Sequence, residues 1–115
     1  MASWIRAFVL VAFLAACDEE EESLDCENLP WTYENTGQIF MLNWCASCHH
    51  TDIANEDRHP NNQGVNLETY DGFIDNLERI EERALSSVPT MPPSGGLPGD
   101  EVERLRQWIE CGMPE

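Results

Sequence analysis

Cys45, Cys48 and His49, in the run Trp44-Cys45-Ala46-Ser47-Cys48-His49, constrain this chain more than any other feature of its sequence. They stand at positions i, i+3 and i+4, which share one face on a helix or a tight helical turn. Two thiols and an imidazole are thereby aimed the same way. The chain around them has only 115 residues, enough for one domain and marginal as an all-protein core. Domains of this size commonly add disulfides, a metal or a large prosthetic group, and five cysteines and three histidines make such help available.

Three chemistries use a C-x-x-C-H face. In haem attachment each sulfur adds across one vinyl group while the imidazole reaches the iron. A dithiol oxidoreductase also resembles Trp-Cys-x-x-Cys, but a thioredoxin-like fold needs strands around its helix. No stretch of this chain alternates with a period of two over a useful length. Zinc could use Cys45, Cys48, His49 and His50, yet no second pair of comparable spacing completes a tetrahedral site. One covalent haem c is therefore the expected cofactor.

The N-terminus has the layout of an export signal. Arg6 precedes an apolar run, Ala7 to Ala16, which is too short to cross a hydrocarbon layer, since a spanning helix needs about 20 residues. Leu14-Ala15-Ala16-Cys17 resembles the lipobox of bacterial lipoproteins, in which the cysteine is lipidated and begins the mature chain. This implies a signal peptide over 1–16, lipidated Cys17 with an acidic linker over 17–25, and a folded domain over 26–115. Asp18 to Glu22 is an unbroken acidic run, which repels itself and stays extended as a solvated spacer. The expected location is exported, on the periplasmic or cell-surface side of a bacterial membrane. The alternative at Cys17 is ordinary cleavage after Ala16, leaving a free thiol.

Charge narrows the partners. The formal net charge is -16, with 22 acidic residues against six arginines and no lysine, so nucleic acid and anionic lipid surfaces are poor partners. A redox protein with a basic docking face suits this surface better, and a monomer is expected. Within the domain, three helices are expected. The first runs roughly from Thr36 to His50, with apolar bulk at Ile39, Phe40, Met41, Leu42 and Trp44. The second, from about Thr69 to Leu85, repeats Tyr70, Phe73, Ile74, Leu77, Ile80 and Ala84 at three- and four-residue spacing. The third opens at Asp100 as cap, with Glu103 as its capping-box partner, and stops at Cys111 before Gly112. Val102, Leu105, Trp108 and Ile109 form its buried stripe. Polar Asn55 to Asn66 and the proline- and glycine-rich Val88 to Gly99 read as loops, giving an all-α fold.

From Tyr33 to Met113 the chain resembles the single-haem cytochrome c family. Gly37, eight residues before Cys45, stands where that family has a glycine letting its first and last helices cross closely. Trp108 occupies the aromatic position of the last helix. Gly64-Val65-Asn66-Leu67 is similar to the family's Gly-Pro-Asn-Leu, where a backbone carbonyl accepts the ring N–H of the proximal histidine. Val65 departs from the proline, and Met41 stands where an aromatic is usual. The resemblance implies a small cytochrome c-like fold, three main helices and loops wrapped around one haem held by Cys45 and Cys48, with His49 on the iron.

The sixth iron ligand is assigned to Met91 in Val88-Pro89-Thr90-Met91-Pro92-Pro93, where proline stiffening holds a thioether at little entropic cost. His59, beside Pro60, is the rival ligand; His50 lies about 100° round a helix from His49 and is fastened on the same side. With Cys17 assigned to lipid and Cys45 and Cys48 to haem, Cys26 and Cys111 remain. An exported protein would oxidise them to a disulfide, the alternative being two separate thiols. The expected function is electron transfer rather than enzyme catalysis, with iron cycling between ferrous and ferric forms. A haem-based sensor with a displaceable sixth ligand is the second reading, and a haem-free thiol-disulfide lipoprotein the third.

Overall fold

The computed structural model describes residues 22–115, so the export signal and Cys17 lie outside the described residues. Helices and turns make up all the regular structure among those residues, with no strand. The first helical region starts earlier than expected. Thr32 and Asn35 cap one another reciprocally, Thr32 Oγ1 accepting from Asn35 N at 3.3 Å and Asn35 Oδ1 accepting from Thr32 N at 2.8 Å. This nucleates a π-helical turn over Tyr33–Gly37, which feeds directly into α1, Gln38–Trp44.

The second expected helix is two. α2 spans Tyr70–Asp75 and α3 spans Leu77–Ala84, with Asn76 between them at φ -112°, ψ 12°. Asn76 bonds to its own preceding turn, Nδ2 donating to Gly72 O at 2.8 Å, and this side-chain competition breaks the ladder. The apolar stripe continues across the break. Phe73 and Ile80 are buried, while Tyr70, Ile74, Leu77 and Ala84 pack at the margin of the core.

The last helix, α4, spans Gly99–Glu110, and here the expected cap is corrected. Asp100 lies inside the first turn; Pro98 is the capping residue and supplies no side-chain bond. A proline before Gly99 already sets an extended entry (ψ 132°), so Asp100 is free to pair with Arg104 one turn on, at 3.4 Å. The C-terminal end follows expectation. Gly112 takes φ 86°, and Gly112 N and Met113 N close on Ile109 O and Trp108 O at 3.0 and 2.9 Å.

The core joins Phe40 and Met41 of α1 to Val65, Leu67, Phe73, Ile80, Leu85, Leu105 and Trp108. Met41, Phe73, Leu105 and Trp108 are fully buried. Where the first helical region meets α4, a Cβ on Gly37 would lie 2.7 Å from the Trp108 ring, so only glycine permits this approach. Cys26 and Cys111 are joined as a disulfide, Cα atoms 5.3 Å apart, tying the start of the domain to the end of α4. No helix among the described residues is long and apolar enough to cross a membrane.

Candidate functional site

The C-x-x-C-H motif sits just past α1. Cys45, at φ -123° and ψ -48°, leaves helical geometry, and Ala46 N reaches back to Met41 O at 2.8 Å. The chain then winds once more around one acceptor. Cys48 N and His49 N both donate to Cys45 O, at 3.1 and 2.9 Å. The three residues thus occupy one turn hung on a single carbonyl, rather than the interior of a helix running to His50. Trp44 fixes the start of that turn, its Nε1 donating to Glu101 Oε2 of α4 at 2.7 Å.

Both thiols are free. Cys45 is half-buried against the core, and burial pushes its thiol up to about 12. A thiol so rarely ionised at neutral pH is a poor nucleophile for disulfide exchange. Cys48 is exposed.

His49 is half-buried and anchored, with Nδ1 3.3 Å from Val65 O. A carbonyl only accepts, so in the neutral ring the proton belongs on Nδ1 and the Nε2 lone pair is left for a ligand. Burial holds the imidazole below its ordinary value, the Val65 carbonyl opposes this, and the Arg58 charge adds to it. Val65, which stands where the similar motif has a proline, therefore presents the carbonyl to the ring. The segment carrying it is gripped from both sides: Leu67 N donates to His49 O at 2.8 Å, and Asn66 O lies against Gly72, where any Cβ would collide with it.

Arg58 is the residue sequence reasoning missed. It is 7% exposed and spreads its guanidinium over three carbonyls: Ile53 O at 3.0 Å, Val65 O at 3.2 Å, and His50 O. In the sequence it is one arginine in a polar loop, with no periodicity to mark it as buried.

The other candidates stand on other segments of the chain. Met91 is 37% exposed on the proline loop, its backbone N donating to Arg83 O at 2.8 Å. It lines a cavity of about 220 Å³ with Ala84 of α3 and Val102 and Arg106 of α4; Cys45, Cys48 and His49 do not line that cavity. His59 is exposed and turned to local use, Nδ1 accepting from Asn61 N at 3.2 Å. His50 Nδ1 accepts from Asp52 N at 3.1 Å. Among the described residues no three His, Cys, Asp or Glu side chains gather into a metal-holding group. Comparison of the chain with protein-family models, with curated proteins and with solved structures yields no match.

Proposed function

We propose that the protein is a mono-haem c-type cytochrome that carries electrons, exported and tethered to a membrane by lipid on Cys17. The observation carrying this reading is the donor set of one turn: two unbonded thiols three residues apart and a neutral imidazole whose Nδ1 is occupied and whose Nε2 is free. These residues fit haem c: Cys45 and Cys48 would hold it through thioethers and His49 Nε2 would bind its iron. Haem supplies a reversible one-electron couple. The chain's part would be to bury that group and to hold the His49 tautomer through Val65, with Met91 on its proline-stiffened loop as the residue that would supply a second donor to the iron. The cytochrome c-like wrapping is supported by the Gly37–Trp108 approach and by the Val65 carbonyl at His49. Acidic surface steers the carrier toward a basic docking face, an attraction that salt weakens.

Because Met91 stands 37% exposed on its loop, a displaceable sixth ligand is the reading to set against a closed carrier. Carbon monoxide added to the reduced protein at neutral pH separates the two. A carrier with Met91 held on the iron binds it slowly and incompletely; rapid, full binding overturns the carrier in favour of a sensor or ligand-binding protein. In the oxidised wild type, a far-red sulfur-to-iron band that disappears in Met91→Ala supports the thioether, and its absence from wild type moves the assignment to His59.

A further inference from the structure

Arg58 is buried in a chain with 22 acidic residues, yet among the described residues no carboxylate lies within ion-pair distance of it. Burial of a guanidinium is costly unless its donors are satisfied, and here backbone carbonyls alone do so. Two of them, Ile53 O and His50 O, would serve to pin the loop that follows the motif. The third is Val65 O, the same oxygen that His49 Nδ1 meets. At 3.2 and 3.3 Å, the two contacts on that oxygen sit at or beyond the long end of the usual N–H···O range.

We propose that Arg58 is a positioning residue for His49: by sharing the Val65 carbonyl it weakens the Nδ1–H bond and so limits how strongly Nε2 donates to the haem iron. The inference rests on the haem reading above. A proximal imidazole that gives its N–H to a strong acceptor becomes a more basic ligand, which favours the ferric state; a shared acceptor does the reverse. The fixed positive charge beside the imidazole acts in the same direction, favouring the ferrous state. Arg58 thereby raises the reduction potential through His49 without touching the iron.

The test uses the haem-loaded full chain as wild type, Arg58→Met and Arg58→Lys, with an equilibrium redox titration and proton NMR of the His49 Nδ1–H in the ferrous form. The account expects the reduction equilibrium constant to fall about tenfold in Arg58→Met, equivalent to about 59 mV for one electron, and by less in Arg58→Lys. It expects the Nδ1 proton to move downfield and exchange more slowly, because Val65 O now serves His49 alone. A residue that merely clasps the loop predicts the opposite, a looser bond and faster exchange. Unchanged potential in folded Arg58→Met overturns the inference, as does faster exchange; where Arg58→Met does not accumulate folded, Arg58→Lys decides on the same two readouts. Wild type without covalent haem overturns the proposed function and this inference together, whereas bound haem with an unshifted potential overturns this inference alone.

Discussion

Two regions of the domain are held by different physics. Near the chain termini, Tyr33, Tyr70, Phe73 and Trp108 form a packed aromatic group. The Tyr33–Tyr70 and Phe73–Trp108 rings meet edge to face with centroids 5.2 Å apart. Two of the three polar tips there are closed by the C-terminal segment, Trp108 Nε1 donating to Pro114 O and Tyr70 OH to Met113 O, each at 2.9 Å, while Tyr33 OH is buried without a partner. Around residues 50–67, by contrast, the chain has little regular structure and is organised by carbonyls converging on Arg58 and on the His49 ring. Burial is strong but non-directional, so the aromatic region sets stability. Hydrogen bonds add less net energy but fix direction, so the loop region orients an imidazole.

Substitutions that strike one region at a time should separate these roles. Trp108→Ala empties a fully buried site in the aromatic region and should cost about 3–5 kcal/mol, read as a shift of the guanidinium midpoint. A cost near zero there would erase the distinction. Replacing Cys26 and Cys111 together by serine releases the start of the domain from α4 and should cost about 2–5 kcal/mol by the same measurement.

A paired glycine test sharpens the comparison. Gly37→Ala pushes a methyl into Trp108 and should cost about 1–3 kcal/mol while leaving the His49 Nδ1–H signal in place. Gly72→Ala forces the Asn66 backbone carbonyl away and should move that signal, with a stability loss of about 1–3 kcal/mol as well. If both glycines altered only stability, the loop would have no separate orienting role.

The smallest effect concerns the two thiols in the free chain. Iodoacetamide should label exposed Cys48 first, leaving half-buried Cys45 until the pH nears about 12 or the chain unfolds. The sign follows from burial: the folded thiol holds its proton above the ordinary value of about 8.5, so its stabilising contribution is full below that pH. It is lost as pH rises toward about 12. Equal labelling of both cysteines at neutral pH in mass spectrometry would contradict the packing of Cys45.

Legibility in the sequence divides along the same line as the physics. Core stripes were readable because periodicity reports burial: Leu105 and Trp108 of α4, and Phe73 and Ile80 across the α2–α3 break, all lie inside. Gly37, and a carbonyl within Gly64-Val65-Asn66-Leu67 for the histidine ring, were legible only through resemblance to a known family; that the carbonyl is that of Val65 came from the structure. What escaped was directional. Asn76 breaks a helix by a bond to its own preceding turn, Thr32 and Asn35 move a helix start from Thr36 to Tyr33, and Pro98 displaces Asp100 from its cap. Arg58 and Gly72 act on carbonyls five to eight residues away in an irregular loop, and a sequence with no periodicity carries no trace of those partners.

Everything functional here depends on Cys45 and Cys48 carrying a porphyrin. Intact mass and a spectrum under denaturing conditions, taken on protein matured in a host able to attach haem, test that most directly. The account predicts one added haem per chain and a red colour that survives unfolding, both lost in the Cys45→Ala, Cys48→Ala double variant. A colourless product with the mass of polypeptide and lipid alone would contradict it.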